Sequence, residues 1–130
     1  MKVKDKVLLV TGASAGIGRA VAIELVNRGA KVIGVDINSK GLDETKNLIQ
    51  DKPDDFIPMV GNIADPNALN SIREELIRKG IYIDGYMNIA GIIQPFIHVK
   101  DLPYDRIERV INVNLYGTIY LYKTFINDLL

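Results

Sequence analysis

Residues 11–18, with the sequence TGASAGIG, decide the fold of this chain of 130 residues. They follow the aliphatic run VLLV at positions 7–10 and precede RAVAIELVNRG at positions 19–29. An unbroken apolar run is typical of a strand that is buried on both faces of a parallel sheet. Apolar residues recur every four positions from Ile17 onward, which indicates a helix. Three glycines therefore fall where a buried strand turns into a helix.

Strand-like and helix-like stretches alternate along the rest of the chain. Short β-type runs lie at 31–35, 56–60 and 83–88, and each is followed by apolar residues at helical spacing. Such alternation predicts parallel strands joined by right-handed helical crossovers, with helices on both faces of the sheet. The sequence therefore predicts an α/β, doubly wound, Rossmann-like parallel sheet with the strand order 3-2-1-4. Pro58 places the third strand near an edge, and we expect one domain over residues 1–130, truncated after the fourth strand and the following long helix.

Local signals predict where the later helices begin and which residues they bury. Ser39 is predicted to cap the second helix, whose buried stripe would consist of Leu42, Leu48 and Ile49. Asp65 and Pro66 are predicted to begin the third helix as its cap and first residue. Its buried stripe would consist of Leu69, Ile72 and Leu76. Residues 91–102 are predicted to form a loop, and Pro103 is predicted to start one long helical stretch.

Composition excludes several classes of function. Sixteen Lys and Arg residues balance sixteen Asp and Glu residues, whereas a nucleic-acid or anionic-membrane surface needs a basic excess. The chain has no cysteine, so disulfides, thiolate metal sites and cysteine nucleophiles are excluded. The sole histidine, His98, is placed beside no second metal ligand by any motif. We expect no metal, no nucleic-acid partner, no membrane partner and a cytoplasmic location.

The glycine-rich stretch is interpreted as a phosphate-binding turn. The start of a helix has unpaired N–H groups and a partial positive charge, which suit a phosphate. Gly12 would make the turn, and Gly16 and Gly18 would allow close approach of ligand and helix. The N–H of Ile17 would point at a phosphate oxygen, and the hydroxyl of Ser14 would add a donor. A tight strand-to-helix turn with no ligand is the alternative that this pattern alone leaves open.

Asp36 ends the second strand, eighteen residues after Gly18. Dinucleotide-binding folds place an acid there to accept hydrogen bonds from the ribose hydroxyls of adenosine. A carboxylate at this position repels a 2′-phosphate, and neither Ala15 nor Ile37 supplies a positive charge nearby. Asp36 therefore favours NAD over NADP, with an ordinary loop Asp as the alternative.

Five landmarks in this order resemble the short-chain dehydrogenase/reductase family, in its small single-domain type. They are the glycine stretch, Asp36, and three motifs at 62–63, 88–91 and 114–117. The family's Asp-Val pair, whose Asp contacts the adenine amino group, corresponds to Asn62-Ile63, and the Asn can still accept through its carbonyl oxygen. The family's NNAG motif, which supports the sheet and lines the cofactor cleft, corresponds to Asn88-Ile89-Ala90-Gly91, from which Ile89 departs.

The loop and the resemblance together predict a set of cofactor-binding residues. They are Gly12, Ser14, Ala15, Gly16, Ile17, Gly18, Asp36, Asn62, Ile63, Asn88, Ala90 and Gly91. The implied cofactor is NAD.

The resemblance also implies catalytic residues, of which one is present. In the family a Tyr exchanges a proton with the substrate, a Lys four residues later lowers the pKa of that Tyr, a Ser polarises the carbonyl, and a helix Asn holds a water. The motif Asn114-Leu115-Tyr116-Gly117 supplies only the Asn, as Asn114, and no Tyr lies four residues before a Lys. The Ser, Tyr and Lys would lie beyond Leu130. Taken alone, Asn114 can equally mark a kink or an exposed turn.

Three functions follow from this pattern. The leading hypothesis is the NAD-binding portion of an oxidoreductase that transfers a hydride between a nicotinamide cofactor and a small alcohol or carbonyl substrate. The alternatives are a non-catalytic dinucleotide-binding or regulatory module and an inactive fragment. Residues 1–130 alone are expected to show no turnover.

The last helix is expected to form a homo-oligomer, as it does in the family. Without further cover, its apolar residues would be only partly buried: Leu115, Ile119, Leu121, Phe125 and Ile126.

Overall fold

Four parallel strands form one sheet in the order β3-β2-β1-β4 in the computed structural model, which describes residues 2–130. The strands are β1 (Val7–Thr11), β2 (Lys31–Asp36), β3 (Phe56–Val60) and β4 (Gly85–Asn88). The register places Val7 opposite Lys31 and Leu8 opposite Gly85. The predicted fold class and strand order are confirmed, and β3 is an edge strand as Pro58 indicated.

Helices connect the strands and cover both faces of the sheet. They are α1 (Gly16–Asn27), α2 (Ser39–Leu48), α3 (Pro66–Arg78), α4 (Tyr104–Ile111) and α5 (Gly117–Leu129). A π-helical segment, Asn112–Tyr116, joins α4 to α5, and short 3₁₀ turns lie at Pro53–Asp55 and Val99–Asp101. The predicted long helical stretch is therefore divided into three parts, and the predicted loop contains one of the two turns.

Alternating side chains of the strands feed two apolar cores. Leu8 and Val10 of β1 pack on the face covered by α1 and α2, around Leu42 and Phe56. Leu9 of β1 points to the opposite face, which is covered by α3 and α5. Successive side chains of a strand point to opposite faces, so β1 contributes to both cores.

The predicted start and stripe of α2 need two corrections. The cap is Asn38, not Ser39, because the Oδ1 of Asn38 accepts a hydrogen bond of 2.9 Å from the N–H of Gly41. Leu48 is 55% exposed, whereas Leu42 and Ile49 are buried. At about 100° per residue, Ile49 lies on nearly the same side of the helix as Leu42, and Leu48 lies about 120° away. The prediction for α3 is confirmed, since Asp65 caps it and its stripe is buried.

The fourth strand begins two residues later than predicted. Instead of pairing as part of β4, Asp84 clamps the start of β1: its N–H donates to the carbonyl of Val7 at 2.7 Å, and its Oδ2 accepts from the N–H of Val7 at 2.8 Å.

Two residues of α5 that were expected to be partly exposed are fully buried. Leu121 and Phe125 lie in the core beneath α3. An ion pair of Arg73 with Asp128 joins the two helices above them. The packing of α3 on α5 therefore covers one face of α5, while Leu115 and Ile119 remain about half exposed.

Candidate functional site

A cavity of about 600 Å³ opens at the carboxyl ends of the strands. In open α/β sheets the carboxyl ends, where the strand order reverses, are the usual place for a ligand. Its wall includes ten of the predicted site residues: Gly12, Ser14, Ala15, Ile17, Gly18, Asp36, Asn62, Ile63, Ala90 and Gly91. The size suits a nucleotide-sized ligand.

Gly12 and Gly18 allow the turn after β1 to pack against its surroundings. Gly12 has φ +71°, and a Cβ there would lie 2.9 Å from the backbone N of Ala90. A Cβ at Gly18 would collide with the carbonyl of Gly12. The missing side chain of Gly18 is thus required by the turn itself, in addition to any ligand. Gly16 differs, since its φ is +54° but a Cβ would meet nothing within 4 Å.

The first turn of α1 has no side-chain cap. Its N-cap residue is Ala15, which makes no capping hydrogen bond, whereas α2 and α3 are capped by Asn38 and Asp65. The N–H groups at a helix start need a partner from a side chain, water or ligand. Because Ala15, Ile17 and Gly18 line the cavity, these N–H groups lie where an anionic ligand would satisfy them.

Asp36 lies on the cavity wall at the end of β2. Its Oδ1 accepts a hydrogen bond of 2.9 Å from the N–H of Asn38, and its other oxygen makes no hydrogen bond within residues 2–130. Two further acids, Asp105 and Glu108 of α4, line the same cavity together with Arg109. Three carboxylates against one guanidinium make this wall acidic.

Asn62 and Ile63 follow β3 and contribute in different ways. The Oδ1 of Asn62 accepts a hydrogen bond of 2.9 Å from the N–H of Ala64, which fixes the turn. A carbonyl oxygen has two lone pairs, so one remains for a ligand. Ile63 is buried, and its side chain would lie 2.9 Å from a Cβ at Gly117. Ile63 therefore joins the cavity wall to α5.

Gly16, Asn88 and Asn114 lie outside the cavity wall. The Nδ2 of Asn88 donates to the hydroxyl of Thr118 at 2.9 Å, and its Oδ1 accepts from Thr11. Asn88 thereby ties the end of β4 to β1 and α5. Asn88 therefore supports the part of the cavity wall that residues 89–91 form.

Asn114 lies within the π-helical segment and holds the loop that follows β4. Its Oδ1 accepts from the N–H of Ile92 at 2.9 Å, and its Nδ2 donates to the carbonyl of Ile92 at 2.7 Å. An amide has two N–H donors and two lone pairs. One donor and one lone pair are therefore left for a water.

The cavity wall also contains residues that the sequence motifs did not identify. They are Val35, Gly61, Ala64, Ile92, Asp105, Glu108, Arg109, Asn112 and Val113. Val35, Gly61 and Ala64 are adjacent in sequence to Asp36 or to the Asn62-Ile63 pair, so their place in the wall follows from those predicted residues. The wall residues on α4 had no sequence signal, because their position depends on the path of the loop at 92–103.

Residues 2–130 lack two kinds of feature. No group of three His, Cys, Asp or Glu side chains is arranged to hold a metal ion. No helix of this part is both long and apolar enough to cross a membrane. His98 is exposed and is not part of the cavity wall.

Comparison with known proteins assigns the family. Residues 6–130 match the short chain dehydrogenase family, and the chain belongs to it. It is 35% identical to versicolorin reductase stcU of Emericella nidulans, over 92% of this chain and 46% of that protein. The NAD⁺-bound structure of a xylitol dehydrogenase has a TM-score of 0.90 at 28% identity, over 99% of this chain and 50% of that one. A Shigella flexneri short chain dehydrogenase complexed with NADP shares the fold, with a TM-score of 0.88 at 21% identity over 97% of this chain and 54% of that one.

The chain spans about half the length of the curated relatives it matches. The solved structures that share the fold include one bound to NAD⁺ and one complexed with NADP.

Proposed function

We propose that residues 1–130 form the dinucleotide-binding domain of an NAD-dependent oxidoreductase that exchanges a hydride with a small alcohol or carbonyl compound. One observation carries the proposal: the uncapped start of α1, the turn at Gly12 and the carboxylate of Asp36 border the same cavity. The pyrophosphate of a dinucleotide would bind at the start of α1, and its ribose diol would bind the carboxylate of Asp36. A strand-to-helix turn that binds no ligand would not require an uncapped helix start, a glycine turn and a carboxylate around one cavity.

The acidic wall supports NAD rather than NADP. The carboxylate of Asp36 would accept from the 2′- and 3′-hydroxyls, and it would repel a 2′-phosphate. Asp105 and Glu108 add negative charge to the same wall. Arg109 supplies one positive charge to the wall, against the three carboxylates of Asp36, Asp105 and Glu108.

Bound nicotinamide supplies the hydride exchange, and the residues described here bind and orient the dinucleotide. Backbone N–H groups of α1 would hold the pyrophosphate, and Asp36 and Asn62 would hold the adenosine. The role proposed for Asn114 is to hold a water with its free N–H and lone pair in the whole protein. Ile92 keeps the Asn114 amide oriented for that role.

Isothermal titration calorimetry of residues 1–130 with NAD, ADP-ribose and NADP tests the proposal. We expect weak binding of NAD and ADP-ribose with similar affinity, because the proposed contacts reach the adenosine and pyrophosphate only, and weaker binding of NADP. Binding of none of the three would overturn the proposal, and clearly tighter binding of NAD than of ADP-ribose would contradict the proposed contacts. We also expect no NADH formation from a panel of secondary alcohols by this chain alone.

We further propose that the half-exposed face of the last helices forms a contact with a second copy of the chain. It carries exposed apolar side chains: Ile107, Ile111, Leu115, Tyr116, Ile119 and Tyr122. Light scattering should show a dimer that the double variant Leu115→Glu, Ile119→Glu converts to a folded monomer. Leu48→Glu on α2, an equally exposed apolar position, should leave the dimer intact. A monomeric wild-type chain would refute the contact.

We also propose a cytoplasmic location. It is supported by the absence of cysteine from the sequence, since disulfides are common in oxidising compartments and rare in the cytosol. Fractionation of the producing cells, with antibody detection of the protein, tests it, and recovery in a secreted fraction would refute it.

A further inference from the structure

Arg19 directly follows the glycine turn, at a position where a cation would be expected to meet a phosphate. Its guanidinium is instead directed into the protein. Nε donates to the hydroxyl of Thr45 at 2.9 Å, and the terminal nitrogen NH2 lies 2.5 Å from the carbonyl of Ser14 and 3.2 Å from that of Gly41. The same nitrogen contacts a carboxylate oxygen of Glu44 at 3.2 Å. Arg19 does not line the cavity.

Thr45 completes this arrangement from the other side. Its side chain is fully buried, and its hydroxyl lies 2.7 Å from the carbonyl of Ala13 and 3.1 Å from that of Gly41. The hydroxyl accepts from Arg19 and has one hydrogen to give. The shorter distance assigns that hydrogen to Ala13, which is the second residue of the turn after β1.

Gly41 lets α2 approach the turn closely enough for these bonds. A Cβ at Gly41 would lie 2.7 Å from the Cβ of Ser14 and 2.9 Å from its carbonyl oxygen. The N–H of Gly41 is held by Asn38, whose own N–H is held by Asp36. A continuous series of hydrogen bonds therefore runs from the carboxylate of Asp36 to the carbonyls of the turn.

We propose that Arg19 and Thr45 are positioning residues that hold residues 13–18 in the shape that receives the pyrophosphate. Arg19 is not proposed as a phosphate ligand, because its Nε and one terminal nitrogen contact groups of the protein and the residue does not line the cavity. This inference rests on the proposed function of the cavity. The two side chains act only through the backbone carbonyls of Ala13, Ser14 and Gly41.

Thr45→Val and Thr45→Ser separate this role from simple packing. Valine keeps the shape and removes the hydroxyl, which leaves the partly buried Nε of Arg19 and the carbonyl of Ala13 without the Thr45 hydroxyl as partner. We expect affinity for ADP-ribose, measured by calorimetry, to fall about tenfold in Thr45→Val and to stay within about threefold in Thr45→Ser. Ile49→Val, a core substitution on the same side of α2, is the control for general destabilisation and should bind like the wild type. Equal binding by Thr45→Val and the wild type would overturn the inference.

Arg19→Lys and Arg19→Met distinguish positioning from direct charge contact. Lysine keeps the charge but cannot reproduce the planar fork that reaches Thr45, Ser14 and Gly41 together. We expect both variants to lose affinity equally. Recovery of binding in Arg19→Lys relative to Arg19→Met would show that the charge acts on the ligand and would exclude the positioning role of Arg19.

Amide hydrogen exchange of the free protein tests the inference independently of the proposed function. The N–H groups of Gly12 and Ala13 bond to the carbonyl of Val35, and that of Arg19 bonds to the carbonyl of Ala15. In Thr45→Val these amides should exchange about tenfold faster relative to those of β2, and in Ile49→Val they should not. Unchanged exchange would overturn the inference. If the wild-type chain bound no dinucleotide but Thr45→Val still showed the faster exchange, the proposed function would be refuted and the positioning role would stand.

Discussion

The hydroxyl of Thr11 donates a hydrogen bond of 2.7 Å to the Oδ1 of Asn88, across the ends of two neighbouring strands. The hydroxyl oxygen of Thr11 also accepts from the N–H of Ile89 at 3.0 Å and from that of Ala90 at 3.1 Å. Thr11 is fully buried. One hydroxyl therefore fixes both the last residue of β4 and the first two residues of the cavity wall that follows it.

Thr11→Val should destabilise the fold and loosen this wall. Valine matches threonine in shape but leaves the N–H groups of Ile89 and Ala90 and the Oδ1 of Asn88 without their partner. We expect a loss of about 2–3 kcal/mol in the free energy of unfolding, measured by urea denaturation. Thr11→Ser, which keeps the hydroxyl, should lose about 1 kcal/mol or less. Equal losses in the two variants would show that the methyl group, and not the hydroxyl, matters.

Gly12→Ala and Gly16→Ala form a matched pair, because both glycines have positive φ and differ in the space around them. The backbone strain of about 1–2 kcal/mol applies to both. At Gly12 the new Cβ also meets the backbone of Ala90 at 2.9 and 3.0 Å, so the unfolding free energy should fall further there. Urea denaturation measures both values. A loss in Gly16→Ala that equals or exceeds that in Gly12→Ala would contradict the close approach at Gly12.

Arg73 and Asp128 join α3 to α5 by two parallel hydrogen bonds, each of 2.9 Å. The Asp128 side chain is only 10% exposed. Arg73→Lys should lower the unfolding free energy by about 1 kcal/mol, because lysine cannot make both bonds. Thermal and urea denaturation measure this loss.

The control for that pair is the exposed pair of Arg28 with Glu24 within one helix. Glu24→Ala should change stability by less than about 0.5 kcal/mol.

The hydrogen bond to Asp128 raises the pKa of Arg73 further above neutral pH. A raised pKa stabilises the fold at all lower pH and loses that contribution only as the pH rises through it, so the Arg73→Lys effect should stay constant from about pH 6 to 9. Arg73→Lys must lower the unfolding free energy more than Glu24→Ala does; equal losses would show that the bond to Asp128 is no stronger than an exposed ion pair.

Local patterns were sufficient to predict the sheet and about half of the residues that line the cavity. The turn after β1, the end of β2 and the turn after β3 each lie within a few residues of a strand end, so their placement follows from the strand order. The predicted exposure of Leu121 and Phe125 was wrong, because it depends on how α3 packs against α5. Tertiary packing of this kind leaves no periodic signal in either helix alone.

The orientation of long polar side chains also could not be read from the sequence. Arg19 follows the glycines directly, yet its guanidinium reaches Thr45, which is 26 residues away along the chain. Asp105 and Glu108 reach the cavity only because the loop after β4 returns α4 to it. Such contacts are set by the path of the whole chain.

Asp36→Asn should shift the choice between the two dinucleotides. Asparagine keeps an oxygen that accepts from the N–H of Asn38, so the turn after β2 is preserved, and only the charge is removed. We expect the affinity for NAD to fall about tenfold, because a charged acceptor is lost to the ribose hydroxyls, and the affinity for NADP to rise. Adding Ile37→Arg should raise the affinity for NADP further, since a guanidinium can pair with the 2′-phosphate.

Calorimetry with NAD and NADP at two salt concentrations measures this preference. Asp105→Asn is the matched control, because it removes an equal charge from the same wall without touching the end of β2; it should change the preference less than Asp36→Asn does. The effect at Asp36 should weaken with added salt to the extent that it is electrostatic. If Asp36→Asn left the ratio of the two affinities unchanged, Asp36 would be an ordinary residue of the turn, and the choice of cofactor would have to reside elsewhere on the cavity wall.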